Sequence, residues 1–276
     1  MLKKALVGHA LANQLNLCFL ALSFFTRLPV PKGINYSPQK LHQAGQHFAL
    51  IGWLLAALLG GVYLVIAPYI GTITSICLLV MLSLLLTGAM HEDGLADTCD
   101  GFWGGHTLAR KLSIMKDSQI GTYGTCALIC TLLTKTVLLS ALALNQQLIL
   151  ALCIAYPLSR GLAISHVQHL AYARSDTHNS KSRPLANPMQ PRALLWLVVT
   201  STAGLWYLPF TSTMLILLSC LVLRLILKWW FSKHIGGYTG DCLGFAQQVQ
   251  ELLIYLLLLA IIQSHSGITS TGILAL

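Results

Sequence analysis

Carboxylates are scarce in this chain. Eight Asp and Glu residues stand among 276, and charged residues make up 9% of the sequence against 55% hydrophobic ones. Soluble domains carry about 25% charged residues, so this composition argues against a well-solvated globule and points to a polytopic membrane protein. Paired cysteines are missing too. Eight are scattered through the chain without a CxxC among them, so neither a zinc site nor a redox dithiol is indicated. Cys99 and Cys242 each adjoin an Asp, but hard-cation sites prefer oxygen to sulfur. There is no Lys/Arg block and no interleaving of basic and aromatic residues. The net charge of +9 therefore reads as a membrane-orientation signal rather than a nucleic-acid surface. No small-x-small cleavage site follows the apolar run from Leu15 to Phe25; Arg27 and two prolines do. That run is too short to span, so an interfacial or re-entrant N-terminal helix, kept in the mature protein, is expected.

What the chain does have is long apolar runs, at 47–70, 72–90, 120–144, 147–169, 192–208, 210–227 and, shorter, 251–263. They predict an all-α, polytopic integral membrane bundle of about seven transmembrane helices plus the N-terminal helix, forming one domain over residues 1–276. Segments 1–47, 91–119, 170–192 and 228–250 hold 14 of the 17 basic residues, and the short connections at 71, 145–146 and 209 hold none. Positive loops stay cytoplasmic, so the loops 91–119, 170–192 and 228–250 face the cytoplasm, with Glu251 at the membrane edge. The other three cations, Lys135, Arg160 and Arg224, fall inside spans, where an unpaired charge costs at least ~3 kcal/mol. Arg224 snorkels to a nearby end. Arg160 reads equally as a structural pair or as a ligand for a substrate anion. Lys135 reads as a structural pair.

The few acids are gathered. Glu92, Asp93, Asp97 and Asp100 fall within "MHEDGLADTCDGFWGG" (90–105), directly after an uncharged run. If 92–103 continues the preceding helix, Asp93, Asp97 and Asp100 lie within about 60° of one another, with Glu92 on the same turn. Such carboxylates repel unless a cation sits among them, and oxygen-only ligands suit Mg²⁺, Mn²⁺ or Ca²⁺. A solvated helix end is the plain alternative. It is disfavoured because acids suit helix N-termini, and these follow a span. Gly94 and Gly101 leave room for a phosphate or another helix. Next, "RKLSIMKDSQIGTYG" (110–124) supplies Arg110, Lys111, Lys116, Asp117 and Ser118, and cations beside a carboxylate–metal site suit a pyrophosphate. "GGYTGDCLGFAQQVQE" (236–251) adds Asp241 in a glycine-rich setting. His91 belongs beside the site rather than in it. The chemistry these residues point to is metal-assisted phosphoryl transfer at the membrane surface.

Four stretches in this order, "FFTRLPVP" (24–31), "HEDGLADTCDGFWGG" (91–105), "IMKDSQIGTYG" (114–124) and "GGYTGDCLGFAQQVQE" (236–251), resemble the cobalamin synthase, or adenosylcobinamide-GDP ribazoletransferase, family from end to end. The resemblance implies that adenosylcobinamide-GDP and α-ribazole, or its 5′-phosphate, give adenosylcobalamin or its 5′-phosphate plus GMP. It implies Mg²⁺, with Mn²⁺ as a substitute, and a multi-pass protein of the bacterial inner membrane whose site faces the cytoplasm. Carried over, the acidic motif falls on Glu92, Asp93, Asp97 and Asp100 as metal ligands. The "KDS" motif falls on Lys116, Asp117 and Ser118, and the "TGD" motif on Thr239, Gly240 and Asp241. The expected catalytic residues are then Asp93, Asp97, Asp100, Asp117 and Asp241, and the expected substrate-binding residues Arg110, Lys116, Ser118, Arg160 and Thr239. Gln119 and Phe245 depart from the family pattern. Expected partners are the two substrates, the bilayer and other cobalamin-assembly enzymes, without nucleic acid. "DGLAD" also partly resembles the CDP-alcohol phosphotransferase motif, though Asp97 stands where that motif needs Arg. A lipid head-group transferase is thus the enzymatic alternative. A cation transporter, whose acids belong near mid-membrane, is the non-enzymatic one.

Overall fold

In hydrocarbon every backbone N–H and C=O must be paired within the protein, so apolar runs of this length become helices. The computed structural model describes residues 2–173 and 187–273, with side chains over 11–173 and 187–264. Among them there is no β-strand, and the order is α1 (Leu2–Phe25), α2 (Pro38–Ala44), α3 (Phe48–Ile70), α4 (Thr72–Thr87), α5 (Met90–Gly104), α6 (Leu108–Ile114), α7 (Thr122–Leu144), α8 (Leu148–Ile164), α9 (Pro191–Thr202), α10 (Phe210–Ile235) and α11 (Gly240–Ile273). Most of the expected loop at 170–192 lies outside the described residues. Five stretches are long and apolar enough to cross a membrane: Pro38–Ile70, Thr122–Leu144, Leu148–Gln168, Phe210–Ile235 and Gly240–Ser264. α4 and α5 together make a sixth, bent by 86°. The protein is a polytopic helical membrane bundle.

The expected seven spans are corrected in detail. α9 has 12 residues before tightening into the 3₁₀ turn Ala203–Tyr207, and α4 has 16, where about 20 are needed. The run at 251–263 is the middle of a 34-residue helix. Segment 228–250 is therefore not a loop: α10 continues to Ile235, and only 236–239 separate it from α11. Polar residues such as Gln247, Gln248 and Gln250 face the bundle interior instead of water. Glu251 is accordingly buried, roughly 16 Å along α11 from Gly240, and not at the membrane edge.

The break between α4 and α5 positions everything that follows. Gly88 and Ala89 both take positive φ, +64° and +54°. The Ala89 amide donates to the Leu84 carbonyl at 2.9 Å and the Gly88 amide to the Leu85 carbonyl at 3.4 Å, the pattern that closes a helix with a left-handed residue. Arg27, from the 24–31 stretch, seals the break. Its amide donates to the Leu86 carbonyl at 2.7 Å, and its guanidinium covers Gly88.

α8 lies at the centre, buried along most of its length. α3 approaches it so closely at Gly52 that an added Cβ would sit 2.6 Å from the Tyr156 carbonyl oxygen. α11 packs between α8 and α5, and α5 packs on α7. Apolar side chains on α7 and α10, such as Leu133, Val137 and Leu218, point outward as a lipid-facing surface does. Exposed Trp206, Tyr207 and Phe210 gather at one end, as in an interfacial aromatic belt.

Candidate active site

Because the chain breaks at Gly88, the acids open a new helix instead of ending an old one. Glu92 and Asp93 occupy the first turn of α5, where the helix dipole favours negative charge. This corrects the expectation that 92–103 continues the preceding span. Asp93 and Asp97, four residues apart, share one face of the helix. They line a cavity of about 440 Å³ together with Glu92, Lys116, Asp117 and Ser118, so the acidic and "KDS" motifs meet. The loop carrying Lys116 is anchored by Met115, which is 2% exposed and packs into the space that Gly101 leaves. Asp117 is fixed locally, its Oδ1 accepting from the Gln119 amide at 3.1 Å.

Asp100 shares the face but has different work. Its Oδ2 accepts from the Gly121 amide at 2.7 Å and its Oδ1 from the Gly124 amide at 2.8 Å. It caps the first turn of α7, whose N–H groups have no partner within the helix, and it does not line the cavity. A side chain at Gly121 or Gly124 would collide with this carboxylate. Both oxygens of Asp100, expected among the metal ligands and catalytic residues, are engaged in this cap.

Among the described residues no three His, Cys, Asp or Glu side chains are arranged around a point where a metal could sit. The cavity wall nevertheless offers the oxygen-only donors that a hard divalent cation takes. By donor type, Asp93, Asp97 and Asp117 fit Mg²⁺.

The remaining expected residues are distributed. Thr239 is fully buried and starts α11, accepting from the Cys242 amide at 3.4 Å and donating to Asp241 Oδ2 at 3.2 Å. Asp241 does not line the cavity, but it lies directly behind α5. A Cβ on Gly94 would sit 2.7 Å from its carbonyl oxygen, and Gly244 meets Gly94 at the same crossing. Tyr238 pairs edge-on with Tyr172, and burial pushes its phenol above the usual range. Arg110 is exposed on α6, away from the cavity, its amide bonded to the Thr107 hydroxyl. His91 is buried and stacks on Phe48. Phe245 fills an aromatic cluster with Trp230 and Phe231. Arg224 is tied to Ser165 and His169.

Arg160 and Lys135 have come together in the interior. Lys135 Nζ donates to Gln248 Oε1 at 2.8 Å and lies 3.1 Å from Glu251 Oε1 and 3.7 Å from Glu92 Oε1. Arg160 Nη1 lies 3.8 Å from Glu251 Oε2 and donates to the Tyr156 carbonyl at 3.0 Å, with its guanidinium over the Tyr156 ring. The structural pair, one of Arg160's two readings, is present. Gln247 and Gln248, which complete this network, fall in the stretch read from the sequence as a loop, so sequence reasoning misses their part in it.

A polytopic α-helical membrane protein with an oxygen-rich acidic cavity, opened by a break between two helices, is the class that fold and site define. The model of the cobalamin-5-phosphate synthase family matches residues 17–259, and the chain belongs to that family. It is 68% identical over 246 residues to an adenosylcobinamide-GDP ribazoletransferase of Pseudoalteromonas atlantica, covering 89% of this chain and 91% of that protein. A protein of the same name from Vibrio cholerae is 47% identical over 253 residues, 92% of this chain and 97% of the relative. One from Shewanella piezotolerans is 44% identical over 251 residues, 90% and 96%. No solved structure is detectably similar to the chain.

Proposed function

We propose that this protein joins adenosylcobinamide-GDP to α-ribazole, or to its 5′-phosphate, giving adenosylcobalamin or its 5′-phosphate and releasing GMP. The observation that carries the reading is the convergence of Asp93, Asp97, Lys116, Asp117 and Ser118 on one cavity, in a chain that matches proteins of that name over nine-tenths of its length. The ribazole hydroxyl attacks the phosphorus attached to cobinamide; the bond to the GMP oxygen breaks and the hydroxyl proton is lost. Such a displacement asks for positioning and charge neutralisation, with little covalent chemistry from the protein. Lys116 and Ser118 are placed to hold phosphate oxygens. The displacement needs the acceptor hydroxyl in line with the scissile bond, and a cavity carboxylate is available to take its proton. Asp93, Asp97 and Asp117 would hold Mg²⁺, or Mn²⁺ in its place, which would supply positive charge to offset that of the phosphates.

The same reading puts the protein in a bacterial inner membrane with the cavity on the cytoplasmic side. It rests on the absence of Lys and Arg at 71, 145–146 and 209 and their presence at 110, 111 and 116. Cysteine labelling at position 104 on a cysteine-free background checks the orientation: labelling from the outside only contradicts it. The reaction is tested with purified protein in lipid. GMP should appear from adenosylcobinamide-GDP only when ribazole and Mg²⁺ are both present. GMP release with water as the acceptor would mean a hydrolase, and exchange with a CDP-lipid would favour the lipid-transferase alternative.

A further inference from the structure

Glu92 is unlike the other carboxylates of the cavity. Asp93 and Asp117 are exposed and Asp97 half-buried, whereas Glu92 is 6% exposed. Its Oε1 is held by Gln248 Nε2 at 3.0 Å with Lys135 Nζ beyond, at 3.7 Å. Its Oε2 is buried without a donor among the described residues, and Glu92 is one of the residues lining the cavity. That oxygen could take a metal ion or a neutral hydrogen-bond donor, and charge decides between them. Lys135, Arg160, Glu92 and Glu251 are all buried and form one connected set. Two cations and two carboxylates sum to zero. Glu92's charge is thus already matched within the buried set, so Glu92 adds no net negative charge for an ion in the cavity, and burial makes any unmatched charge costly. Asp93, Asp97 and Asp117 line the cavity and are less buried than Glu92.

We propose that Lys135 is a positioning residue of the active site, and that Glu92 belongs to its charge-balanced network and not to the metal-binding carboxylates. Lys135 sits on α7 and reaches Glu92 on α5, Gln248 and Glu251 on α11 and, through Glu251, Arg160 on α8. α5 enters after an 86° bend, so its first turn is oriented by this clamp. Asp93 and Asp97 follow on the same turn and the next, and their direction is set with it. The inference rests on the proposed transferase reaction only where activity is the readout.

Gln248 makes a decisive test available. Its Oε1 meets Lys135 and its Nε2 meets Glu92, so it stands between the two charges. Moving the carboxylate from 92 to 248, as Glu92→Gln with Gln248→Glu, keeps the sum at zero and the pair with Lys135. Full-length protein in nanodiscs is assayed for Mn²⁺ affinity by electron paramagnetic resonance, for thermal unfolding and for GMP release. Glu92→Gln should lower thermal stability and cut kcat about tenfold while leaving Mn²⁺ affinity within about twofold; the double variant should recover to within about threefold of the parent. Asp97→Asn should lose Mn²⁺ affinity at least about tenfold. Lys135→Arg, which keeps the charge but not the reach, should lower kcat with both KM values unchanged. Equal loss of Mn²⁺ affinity in Glu92→Gln and Asp97→Asn, or a double variant as impaired as Glu92→Gln, overturns the proposal. So does a Lys135→Arg protein in which KM alone rises, since Lys135 would then touch substrate. If the parent bound no Mn²⁺, recovery of stability in the double variant would still uphold the network, and the metal-assisted reaction alone would be in error.

Discussion

Asp93 and Asp97 line an open cavity, while Glu92, adjacent in sequence, is buried beside Lys135, which together with Arg160 flanks the buried Glu251. The two sets meet on α5 and follow opposite physics. Charges open to water are cheap to keep, are screened by salt, and can exchange partners with an arriving ligand. Buried charges are tolerated only in balanced, hydrogen-bonded groups, and removing one member strands the rest. One set is suited to binding, the other to holding the binding set in place. In a chain with eight carboxylates, two of them serve the second purpose, and Asp100 a third as a cap.

The comparison breaks most sharply at Asp97. Asp97→Asn should reduce GMP release at least about a hundredfold, with membrane insertion and thermal unfolding unchanged; near-normal turnover at low Mg²⁺ would remove the cavity acids from the chemistry. Glu251→Gln should act in the opposite way, through stability. It leaves two buried cations with one carboxylate, and unfolding in detergent should show a loss of roughly 3–5 kcal/mol. A negligible loss would mean the network is not closed. Gly94→Ala tests the junction between the sets, where α5 and α11 touch. The added methyl presses on the Asp241 carbonyl, and overpacking of this kind costs about 1–3 kcal/mol; activity should fall along with the unfolding temperature. Raising the salt concentration should have the smallest effect. KM for the nucleotide substrate should rise a few-fold as the cavity is screened, with the unfolding temperature nearly constant.

Much of this site can be read from the sequence. The helical spacing of Asp93 and Asp97 and the nearness of Lys116, Asp117 and Ser118 are local features, and the structure keeps them. Periodicity also places Asp100 on that face, but it cannot tell that the amides of Gly121 and Gly124 reach back from another helix. The break at Gly88 had a signal: glycine closing an apolar run, followed within a turn by two acids, is a stop and a start. The continuing apolar character through Met90 hides it, because hydropathy does not register backbone direction. The pairing of Lys135 with Glu251 is invisible for another reason. A charge inside a span demands a partner, but which of the distant acids supplies it depends on how α7 and α11 pack. The run at 192–208 is apolar enough for a span, but composition does not show that its α-helix ends after 12 residues, at Thr202, and tightens into a 3₁₀ turn.

The most direct test of the account is a density map of the protein in lipid with Mg²⁺ and adenosylcobinamide-GDP bound. The account predicts metal density between Asp93, Asp97 and Asp117, phosphate oxygens at Lys116 and Ser118, and Glu92 still turned to Gln248 and Lys135. Metal density on Glu92 or Asp100, or a nucleotide bound away from this cavity, would contradict it.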